Sequence, residues 1–274
     1  MSSARFPLEG HAGKLAAYRW DGGQARYVAL IVHGYGEHMG RYEHVVSRLV
    51  EDGAVVYGID HVGHGRSEGE RVLIEDFEPV VADLRLLRDR AVEEHPGLPV
   101  VMIGHSMGGL ITARYCQLHS DDLACAVLSA PVLGEWAALG ALLGMDPIPD
   151  VPIDPDTLSR DPKVGAAYAA DPLVWHGPFK RATLEGLQRA IETVNAGPAL
   201  DRLPVLWLHG TDDQLVPYAG TAQGWRAIAG AGDESGTYPG ARHEIFNETN
   251  RREVLQDVVT FVNRHLTRRP SAPR

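Results

Sequence analysis

The chain has 274 residues, of which 44% are hydrophobic and 23% are charged. This composition is typical of a globular protein and excludes a fibre, a coiled coil and a disordered chain. A chain of this length forms one large α/β domain as readily as two small domains. Its formal net charge of −10 at pH 7 has the wrong sign for a surface that binds nucleic acid or is attracted to anionic lipids. Any contact with a membrane is therefore expected to be apolar.

Cysteine usage and the N-terminal sequence point to the inside of the cell. The chain has two cysteines, Cys116 and Cys125, which are too few for a disulfide framework. The first ten residues lack the basic and apolar regions of a secretory signal. No stretch reaches the roughly 18 apolar residues that are needed to span a bilayer. We therefore expect a cytoplasmic protein, for which peripheral contact with a membrane stays open.

Short apolar runs alternate with amphipathic stretches in the first half of the chain. This alternation is typical of an α/β fold, with a mostly parallel sheet and helices on both faces. An antiparallel hairpin is predicted first, at residues 6–20. Four apolar runs rich in β-branched residues predict buried strands at residues 28–32, 54–59, 99–103 and 124–128. Helices are predicted at residues 41–52 and 78–95.

The regular alternation ends after Pro131. Seven prolines lie between Pro147 and Pro178, and such a density excludes long helices there. Residues 132–200 are therefore predicted to be an insertion between two parts of one core, residues 1–131 and 201–274. The second part has predicted strands at residues 204–208 and 236–239 and a closing helix at residues 251–266. Residues 267–274 are predicted to be a frayed end.

Two segments match the Gly-x-Ser-x-Gly pattern of a nucleophile elbow, a strained strand-to-helix turn that exposes a serine. Ser106, in residues 104–108, follows a predicted strand and precedes a helical run at residues 110–117. Ser67, in residues 65–69, follows a polar stretch, and no helix begins after it. The elbow also needs small neighbours, which Gly104 and Gly108 provide. Ser106 is therefore the predicted nucleophile, and Ser67 is predicted to be a loop residue.

A serine nucleophile needs a histidine to accept its proton and a carboxylate to orient that histidine. In elbow-type enzymes the acid and then the histidine follow the serine along the chain. Asp212 and Asp213 follow the predicted strand at residues 204–208, at the edge where open α/β sheets bind ligands. Spacing does not separate these two aspartates. His243 follows the last predicted strand and is the predicted base, whereas His209 precedes the acid and would reverse the order.

The oxyanion of a tetrahedral intermediate needs backbone N–H donors. Met107, the residue after the nucleophile, supplies one predicted donor. The loop after the first buried strand reads His-Gly-Tyr-Gly at residues 33–36, and the N–H of Tyr35 is the second candidate. Histidines cluster here and at residues 61–64, but no metalloprotease motif or comparable ligand set occurs. We therefore expect neither a metal nor another cofactor.

Five segments of the sequence carry a family resemblance. They read His-Gly-Tyr-Gly-Glu-His at residues 33–38 with Arg41 and Tyr42, Asp-His-Val-Gly-His-Gly-Arg-Ser-Glu-Gly at 60–69, Gly-His-Ser-Met-Gly-Gly at 104–109, Gly-Thr-Asp-Asp at 210–213 and Gly-Ala-Arg-His-Glu at 240–244. Over nearly its whole length the chain resembles the monoacylglycerol lipases, in the lysophospholipase-like branch of the α/β-hydrolase superfamily. The second segment contains Ser67 and explains it as a family loop.

The resemblance implies an α/β-hydrolase fold in which residues 132–200 form the lid. It implies Asp213 as the acid of a triad with Ser106 and His243, and it implies Tyr35 and Met107 at the oxyanion positions. It also implies that Glu37 and Arg41 lie near the glycerol end of the substrate. Mammalian members have a further histidine three residues after the catalytic one. This chain has Phe246 there and so resembles the bacterial type.

The start of the insertion, residues 136–145, is apolar all round, which a solvated helix does not sustain. The segment either packs on the core, or it lines an acyl channel and touches lipid. The residues concerned are Trp136, Leu139, Leu142, Leu143 and Met145. A lid that does both would fit a single-chain lipid that enters from a membrane surface.

We therefore expect a serine carboxylester hydrolase that cleaves monoacylglycerols to fatty acid and glycerol through an acyl-enzyme. Its partner is then a small lipid ester. A lysophospholipase or a broad-specificity carboxylesterase is the alternative within the same class. A non-catalytic ligand-binding protein on the hydrolase scaffold is a remoter alternative, because all three triad positions are filled. A dehalogenase or an epoxide hydrolase would carry aspartate at the elbow, and no dinucleotide-binding motif follows the first buried strand.

Overall fold

An eight-stranded sheet forms the centre of the protein, whose computed structural model describes residues 1–266. The predicted frayed end at residues 267–274 lies outside the described residues. The strands are β1 (Ser2–Gly10), β2 (Gly13–Asp21), β3 (Tyr27–Val32), β4 (Ala54–Ile59), β5 (Val100–His105), β6 (Cys125–Ser129), β7 (Val205–Gly210) and β8 (Glu234–Tyr238). Their order across the sheet is β1-β2-β4-β3-β5-β6-β7-β8.

The sheet is mostly parallel, as predicted. β1 pairs antiparallel with β2, and β2 pairs antiparallel with β4. The remaining pairs, from β4 across to β8, are parallel. All residues of β3 to β7 are buried, because helices cover both faces of a parallel sheet. The hairpin of β1 and β2 is longer than predicted, since pairing continues beyond the apolar positions to Ser2 and Asp21.

Helices cover both faces of the sheet, as predicted. Within residues 1–266 the α-helices are α1 (Glu43–Glu51), α2 (Glu78–Glu94), α3 (Met107–His119), α4 (Ala137–Leu143), α5 (Pro162–Ala170), α6 (Arg181–Asn195), α7 (Tyr218–Ile228) and α8 (Arg251–His265). Apolar side chains of α1 and α8 pack together in the core on one face. Those of α2, α3, α6 and α7 pack in the core on the other face. None of the helices in this part of the chain is long and apolar enough to cross a bilayer.

Residues 132–200 form α4, α5 and α6. The proline-rich stretch carries no α-helix longer than the nine residues of α5, as its proline density predicts. Beyond the last of these prolines, α6 runs for 15 residues and buries Leu184, Leu187 and Ile191 in the core that covers α3. A small separate cluster contains Leu158, Tyr168 and Val174. Much of the predicted insertion therefore shares the core of the sheet.

β5 delivers the predicted nucleophile to the carboxyl edge of the sheet. The apolar run predicts a strand that ends at residue 103, but pairing continues through Gly104, opposite Leu128, and His105, opposite Ser129. The strand is longer than its apolar run because the backbone ladder does not depend on the side chain of His105. Ser106 follows directly, and α3 begins at the next residue.

Candidate active site

Ser106 lies at a sharp turn between β5 and α3. Its backbone has φ 57° and ψ −121°, which residues other than glycine seldom adopt and which the nucleophile elbow requires. A Cβ added at Gly104 would collide with the carbonyl oxygen of Gly108, and one added at Gly108 would collide with the carbonyl oxygen of Val32. Both glycines are therefore needed for the helix to approach the sheet this closely.

Three side chains from three separate segments meet at this turn. The hydroxyl of Ser106 donates to Nε2 of His243 at 2.9 Å. Nδ1 of His243 donates to Oδ2 of Asp213 at 2.7 Å. With its Nδ1 proton held by a carboxylate, the imidazole presents a basic Nε2 to the serine, which is the arrangement of a Ser-His-Asp triad. The structure thus brings together the three residues that the resemblance implies.

Asp213, and not Asp212, faces the histidine. Asp212 is exposed to solvent, whereas Asp213 is 6% exposed. The second carboxylate oxygen of Asp213 accepts two backbone N–H groups of the following loop, at 3.0 and 2.9 Å. Burial raises the pKa of Asp213, but the charge of His243 and hydrogen bonds from His209 and His243 outweigh burial and hold this pKa well below its usual range. Asp213 is therefore a carboxylate throughout the physiological pH range.

His209, the competing histidine in the sequence, contacts the acid and not the serine. It is fully buried. Its Nδ1 accepts the indole N–H of Trp207 at 3.2 Å, so the proton of the neutral ring is on Nε2. Nε2 donates to the carbonyl of Val216 at 2.9 Å and also faces Asp213. The order of residues along the chain therefore separates the two histidines correctly.

The pKa of His243 lies above its ordinary value. Burial lowers it, but the charge and hydrogen bond of Asp213, followed by the charges of Glu244 and Glu37, outweigh burial. The ring centre of His105 lies 4.8 Å from that of His243. Burial, followed by repulsion from His243, lowers the pKa of His105 to about 4. His105 is therefore neutral at pH 7, and His243 is the histidine that is hydrogen-bonded to the serine.

The loop after β3 runs beside the serine. A Cβ added at Gly34 would lie 3.2 Å from Cβ of Ser106. The backbone N–H of Gly34 donates to Oε1 of Glu37 at 2.7 Å, and the hydroxyl of Tyr42 donates to the same oxygen at 2.7 Å. Glu37 is 4% exposed. Its buried carboxylate therefore fixes the turn that carries Tyr35.

Arg41 joins two glutamates next to the triad. Its Nη1 donates to Oε2 of Glu37 and to Oε1 of Glu244, each at 2.7 Å, and its Nη2 donates to Oε2 of Glu244 at 2.8 Å. The ring of Tyr168 covers the guanidinium, whose Cζ lies 5.0 Å from the ring centre. Glu37 and Arg41 thus lie close to His243 through its neighbour Glu244, and their place near the glycerol end of a substrate stays a prediction. Glu244 and Tyr168 complete this cluster and are not among the predicted residues.

A cavity opens beside Ser106. The cluster of Glu37, Arg41 and Glu244 lines it, together with Tyr35 and Met107. The rest of the lining is mostly apolar and comes from Val132, Trp136, Ile153, Leu158, Phe179, Leu187, Leu215 and Val216. The cavity can therefore hold an ester that has both an apolar chain and a polar group.

The apolar residues at the start of the predicted lid have different environments. Trp136 lines the cavity and donates its indole N–H to the carbonyl of Leu215 at 2.7 Å. Leu139 is buried in the core, Leu142 and Leu143 are partly buried against it, and Met145 is 45% exposed. None of these last four residues is among the described residues that line the cavity. Of the five residues, Trp136 alone therefore lines the cavity, because the seven-residue helix α4 turns its buried face to the core, and an acyl channel stays a prediction.

Comparison with known proteins agrees with this geometry. Residues 23–250 match the protein family described as serine aminopeptidase, S33. The chain is 38% identical to a monoacylglycerol lipase of Mycolicibacterium smegmatis over 250 residues, which cover 88% of this chain and 89% of that protein. The chain belongs to this α/β-hydrolase family, in its monoacylglycerol lipase branch. The predicted family, fold class and carboxylester hydrolase activity are thereby confirmed.

Two further members of the branch extend the comparison. The monoglyceride lipase of Homo sapiens is 31% identical over 258 residues, which cover 90% of this chain and 84% of that protein. The crystal structure of a Paleococcus ferrophilus monoacylglycerol lipase superposes with a TM-score of 0.79 and 27% identity, covering 92% of this chain and 99% of that chain.

Ser67, the second serine in an elbow-like motif, is a structural residue of this hydrolase. Its hydroxyl donates to the carbonyl of Asp60 at 2.5 Å and accepts the backbone N–H of Ala16 at 2.9 Å. The first interaction lies within the loop after β4, and the second ties that loop to the edge hairpin. The hydroxyl is therefore occupied by backbone groups and makes no hydrogen bond to the triad, as its polar sequence context predicts.

The clustered histidines pack against one another below the loop of Tyr35. His33 lies 4.3 Å from His61 and 5.5 Å from His64, measured between ring centres. Nδ1–H of His33 donates to the carbonyl of Gly34 at 2.8 Å, and its Nε2 accepts the N–H of His61 at 3.0 Å. Burial lowers the pKa of all three rings, in the case of His64 to about 4. Within residues 1–266 no group of three or more His, Cys, Asp or Glu side chains is arranged to hold a metal.

Sequence reasoning misses several residues of this hydrolase site. Glu244 adjoins the predicted base, so its place in the chain is a usable signal. Tyr168 lies on the short helix α5, and Phe179 lies in the loop before α6. The sequence of this region has no clear helical or strand periodicity to indicate which side chains point inward, so the place of both residues in the lining depends on how these short segments fold over the site.

Proposed function

We propose that the protein hydrolyses monoacylglycerols to fatty acid and glycerol through an acyl-enzyme on Ser106. The observation that carries this proposal is the continuous hydrogen-bonded chain of Ser106, His243 and Asp213 beside a cavity with one polar cluster and an otherwise mostly apolar lining. The relatives named above as monoacylglycerol lipases support the choice of substrate. The reaction needs no cofactor.

In the proposed mechanism the oxygen of Ser106 attacks the ester carbonyl, and its proton passes to Nε2 of His243. The tetrahedral intermediate collapses as His243 returns the proton to the departing glycerol oxygen. A water molecule then attacks the carbonyl carbon of the acyl-enzyme and gives a proton to Nε2 of His243. As the ester bond to Ser106 breaks, Nε2 returns this proton to the serine oxygen. Asp213 keeps the imidazole in the required tautomer and stabilises its charged form.

Tyr35 and Met107 are the proposed donors to the oxyanion. The N–H of Met107 is the first of α3, where helical N–H groups have no partner within the helix. The loop of Tyr35 lies beside the serine and is fixed by Glu37. Donors held in place before the reaction stabilise the developing charge without reorganisation.

Residues 132–200 are the proposed lid, and the apolar lining that they provide is the proposed acyl site. Met145 and Val151 are 45% and 62% exposed on this segment. They are suited to apolar contact with a membrane, which fits a protein whose net charge of −10 gives no attraction to anionic lipid. We place the enzyme in the cytoplasm, with peripheral contact to the membrane that supplies the lipid.

The test compares purified wild type with Ser106→Ala and Ser67→Ala on mono-, di- and triacylglycerols of equal chain length. Wild type and Ser67→Ala are expected to release fatty acid fastest from the monoacylglycerol, and Ser106→Ala is expected to be inactive while folded by circular dichroism. A fluorophosphonate probe should label only the two active proteins. Activity in Ser106→Ala, or a preference for triacylglycerol, would contradict the proposal.

A further inference from the structure

The polar cluster that lines the cavity contains more negative than positive charge. Side chains of Glu37 and Glu244 are each 5% exposed, and that of Arg41 is 10% exposed. The single guanidinium is 2.7 Å from both carboxylates. Two carboxylates and one guanidinium leave one formal negative charge in a site that is largely shielded from water. Such a charge is poorly screened and acts strongly on whatever binds beside it.

The two glutamates accept three of the five N–H donors of Arg41 and neutralise its charge. Both hydrogens of its Nη1 are directed to Glu37 and Glu244, and its Nη2 donates to Glu244. One face of the guanidinium is covered by the ring of Tyr168. Among the described residues that line the cavity, Arg41 is the only lysine or arginine. His105 is neutral because of its lowered pKa, and His243 is already paired with Asp213, so the lining offers no free cation to a phosphate.

The same cluster suits a neutral alcohol. A carboxylate oxygen has more than one lone-pair direction, so an oxygen paired with Arg41 can accept a further proton donor. Asn247 shows this at Glu244, where its amide donates to Oε2 at 2.7 Å alongside Arg41. Hydroxyl groups of a polyol are donors of this kind, whereas an ionised phosphate has only acceptors to present.

We propose that Glu244 is a specificity residue that makes the enzyme reject single-chain lipid esters whose alcohol carries a negative charge. Glu37 alone would neutralise Arg41, and Glu244 adds the excess charge. The inference rests on the proposed function and narrows it: the substrates are esters of uncharged alcohols such as glycerol, and lysolipids with an ionised phosphate on the glycerol are excluded. Repulsion between a charge in the site and a like charge on a competing ligand is a common source of specificity.

The first test needs only the wild-type enzyme. Three water-soluble esters with the same acyl chain are compared below their micelle concentrations, namely monooctanoylglycerol, octanoylglycerol phosphate and octanoylcholine. We expect kcat/KM for the phosphate ester to be at least about tenfold below that for the glycerol ester, the effect of a like charge in a poorly screened site. The cationic choline ester is expected to be hydrolysed at a rate nearer to that of the glycerol ester. Comparable rates on the phosphate and glycerol esters would overturn the inference.

The second test assigns the effect to Glu244. Glu244→Gln removes its charge and should raise the ratio of kcat/KM for the phosphate ester to that for the glycerol ester by about tenfold. Glu244→Asp keeps the charge and should keep the low ratio, whatever it does to the absolute rates. Glu78→Gln removes a surface charge on α2, where the side chain is 46% exposed, and should leave the ratio unchanged. An unchanged ratio in Glu244→Gln would overturn the inference.

The two proposals fail in different ways. If wild type does not hydrolyse monooctanoylglycerol, the proposed function is wrong. If it hydrolyses monooctanoylglycerol and octanoylglycerol phosphate equally well, the proposed function stands and only the role of Glu244 is wrong.

Discussion

His209 lies against Asp213, with its Nε2 3.2 Å from the carboxylate oxygen that also accepts Nδ1–H of His243. Asp213 therefore shares one oxygen between two histidines, only one of which reaches the serine. The single Nε2–H of His209 is shared between the carbonyl of Val216 and this oxygen, and its positive hydrogen weakens the hold of the oxygen on a protonated His243. We therefore expect His209 to act on His243 through Asp213.

Replacement of His209 should change both rate and pH dependence. His209→Phe removes the donor and is expected to lower kcat/KM about tenfold or more, the value of a hydrogen bond to a charged group. Because Asp213 then acts on His243 alone, the acidic limb of the kcat/KM profile should move to higher pH. His209→Gln, which keeps an N–H donor, should restore the wild-type limb. A limb that stays in place in His209→Phe would assign His209 a purely structural role.

The rate should fall as the pH decreases, beginning above the ordinary pKa of histidine. The proposed base must be neutral, and the pKa of His243 is raised by Asp213 and the nearby glutamates. The acidic limb of kcat/KM for monooctanoylglycerol should therefore lie above about pH 6.5. Initial rates between pH 5 and 9 measure it, with circular dichroism at each pH to confirm that the enzyme remains folded. A midpoint well below pH 6.5 would contradict a raised pKa of His243.

The neighbouring aspartates provide a matched pair of variants. Asp213→Asn is expected to lower kcat by about 10³- to 10⁴-fold, because the amide no longer holds the required tautomer of His243. Asp212→Asn, at the exposed position one residue earlier, should be close to wild type. Both are measured with a soluble nitrophenyl ester. Equal losses of kcat in the two variants would indicate that the conformation of the loop, and not the carboxylate of Asp213, determines the rate.

The addition of a single methyl group at an elbow glycine should lower the stability of the protein. Gly104→Ala places Cβ against the carbonyl of Gly108 and the hydroxyl of Thr112, and overpacking of this kind costs about 1–3 kcal/mol. Gly140→Ala is the control, because a Cβ on this glycine of α4 meets no atom within 4 Å. Thermal unfolding should show a lower Tm for Gly104→Ala only. Equal Tm values for wild type and Gly104→Ala would mean that the elbow can relax.

The proposed membrane contact can be separated from catalysis. Met145→Glu places a charge on the exposed apolar part of the proposed lid and should lower the rate on monooleoylglycerol in phosphatidylcholine vesicles by about tenfold, since burial of one such side chain contributes about 1.5–3 kcal/mol. The rate on a soluble nitrophenyl ester should not change. Leu118→Glu alters a leucine of α3 that is exposed to a similar extent, 44% against 45%, and should affect neither rate. A similar loss in both variants would exclude a specific contact at the lid.

The sheet and the elbow could be predicted from the sequence because each depends on local patterns. Buried parallel strands are continuous apolar runs, and the strained serine needs glycines at fixed positions. The acid and the base follow from chain order once the strands are placed. The separation of Asp213 from Asp212 required the family resemblance, since adjacent residues of one loop do not differ in any local pattern.

Residues 132–200, the proposed lid, were harder to predict for a physical reason. Proline-rich loops and short helices show little regular periodicity, so the sequence of this region does not reveal which of its side chains turn inward. The apolar run at residues 136–145 drew attention to Leu139 and Met145, yet one is buried in the core and the other is exposed. Phe179 and Tyr168, from less conspicuous segments, line the cavity instead.

The histidine stack below the active site links the folding of the enzyme to acidity. His33, His61 and His64 are fully buried with lowered pKa values, whereas the unfolded chain binds their protons at about pH 6.5. Below that pH the unfolded state takes up more protons than the native state, so stability is complete above pH 6.5 and decreases as the pH falls. Each ring then lowers the free energy of unfolding by about 1.4 kcal/mol for every further unit by which the pH falls, until the pKa of that ring in the native state is reached. Acidification would therefore inactivate this enzyme in two stages. The first is reversible protonation of His243, the proposed base, and the second is cooperative unfolding of the protein.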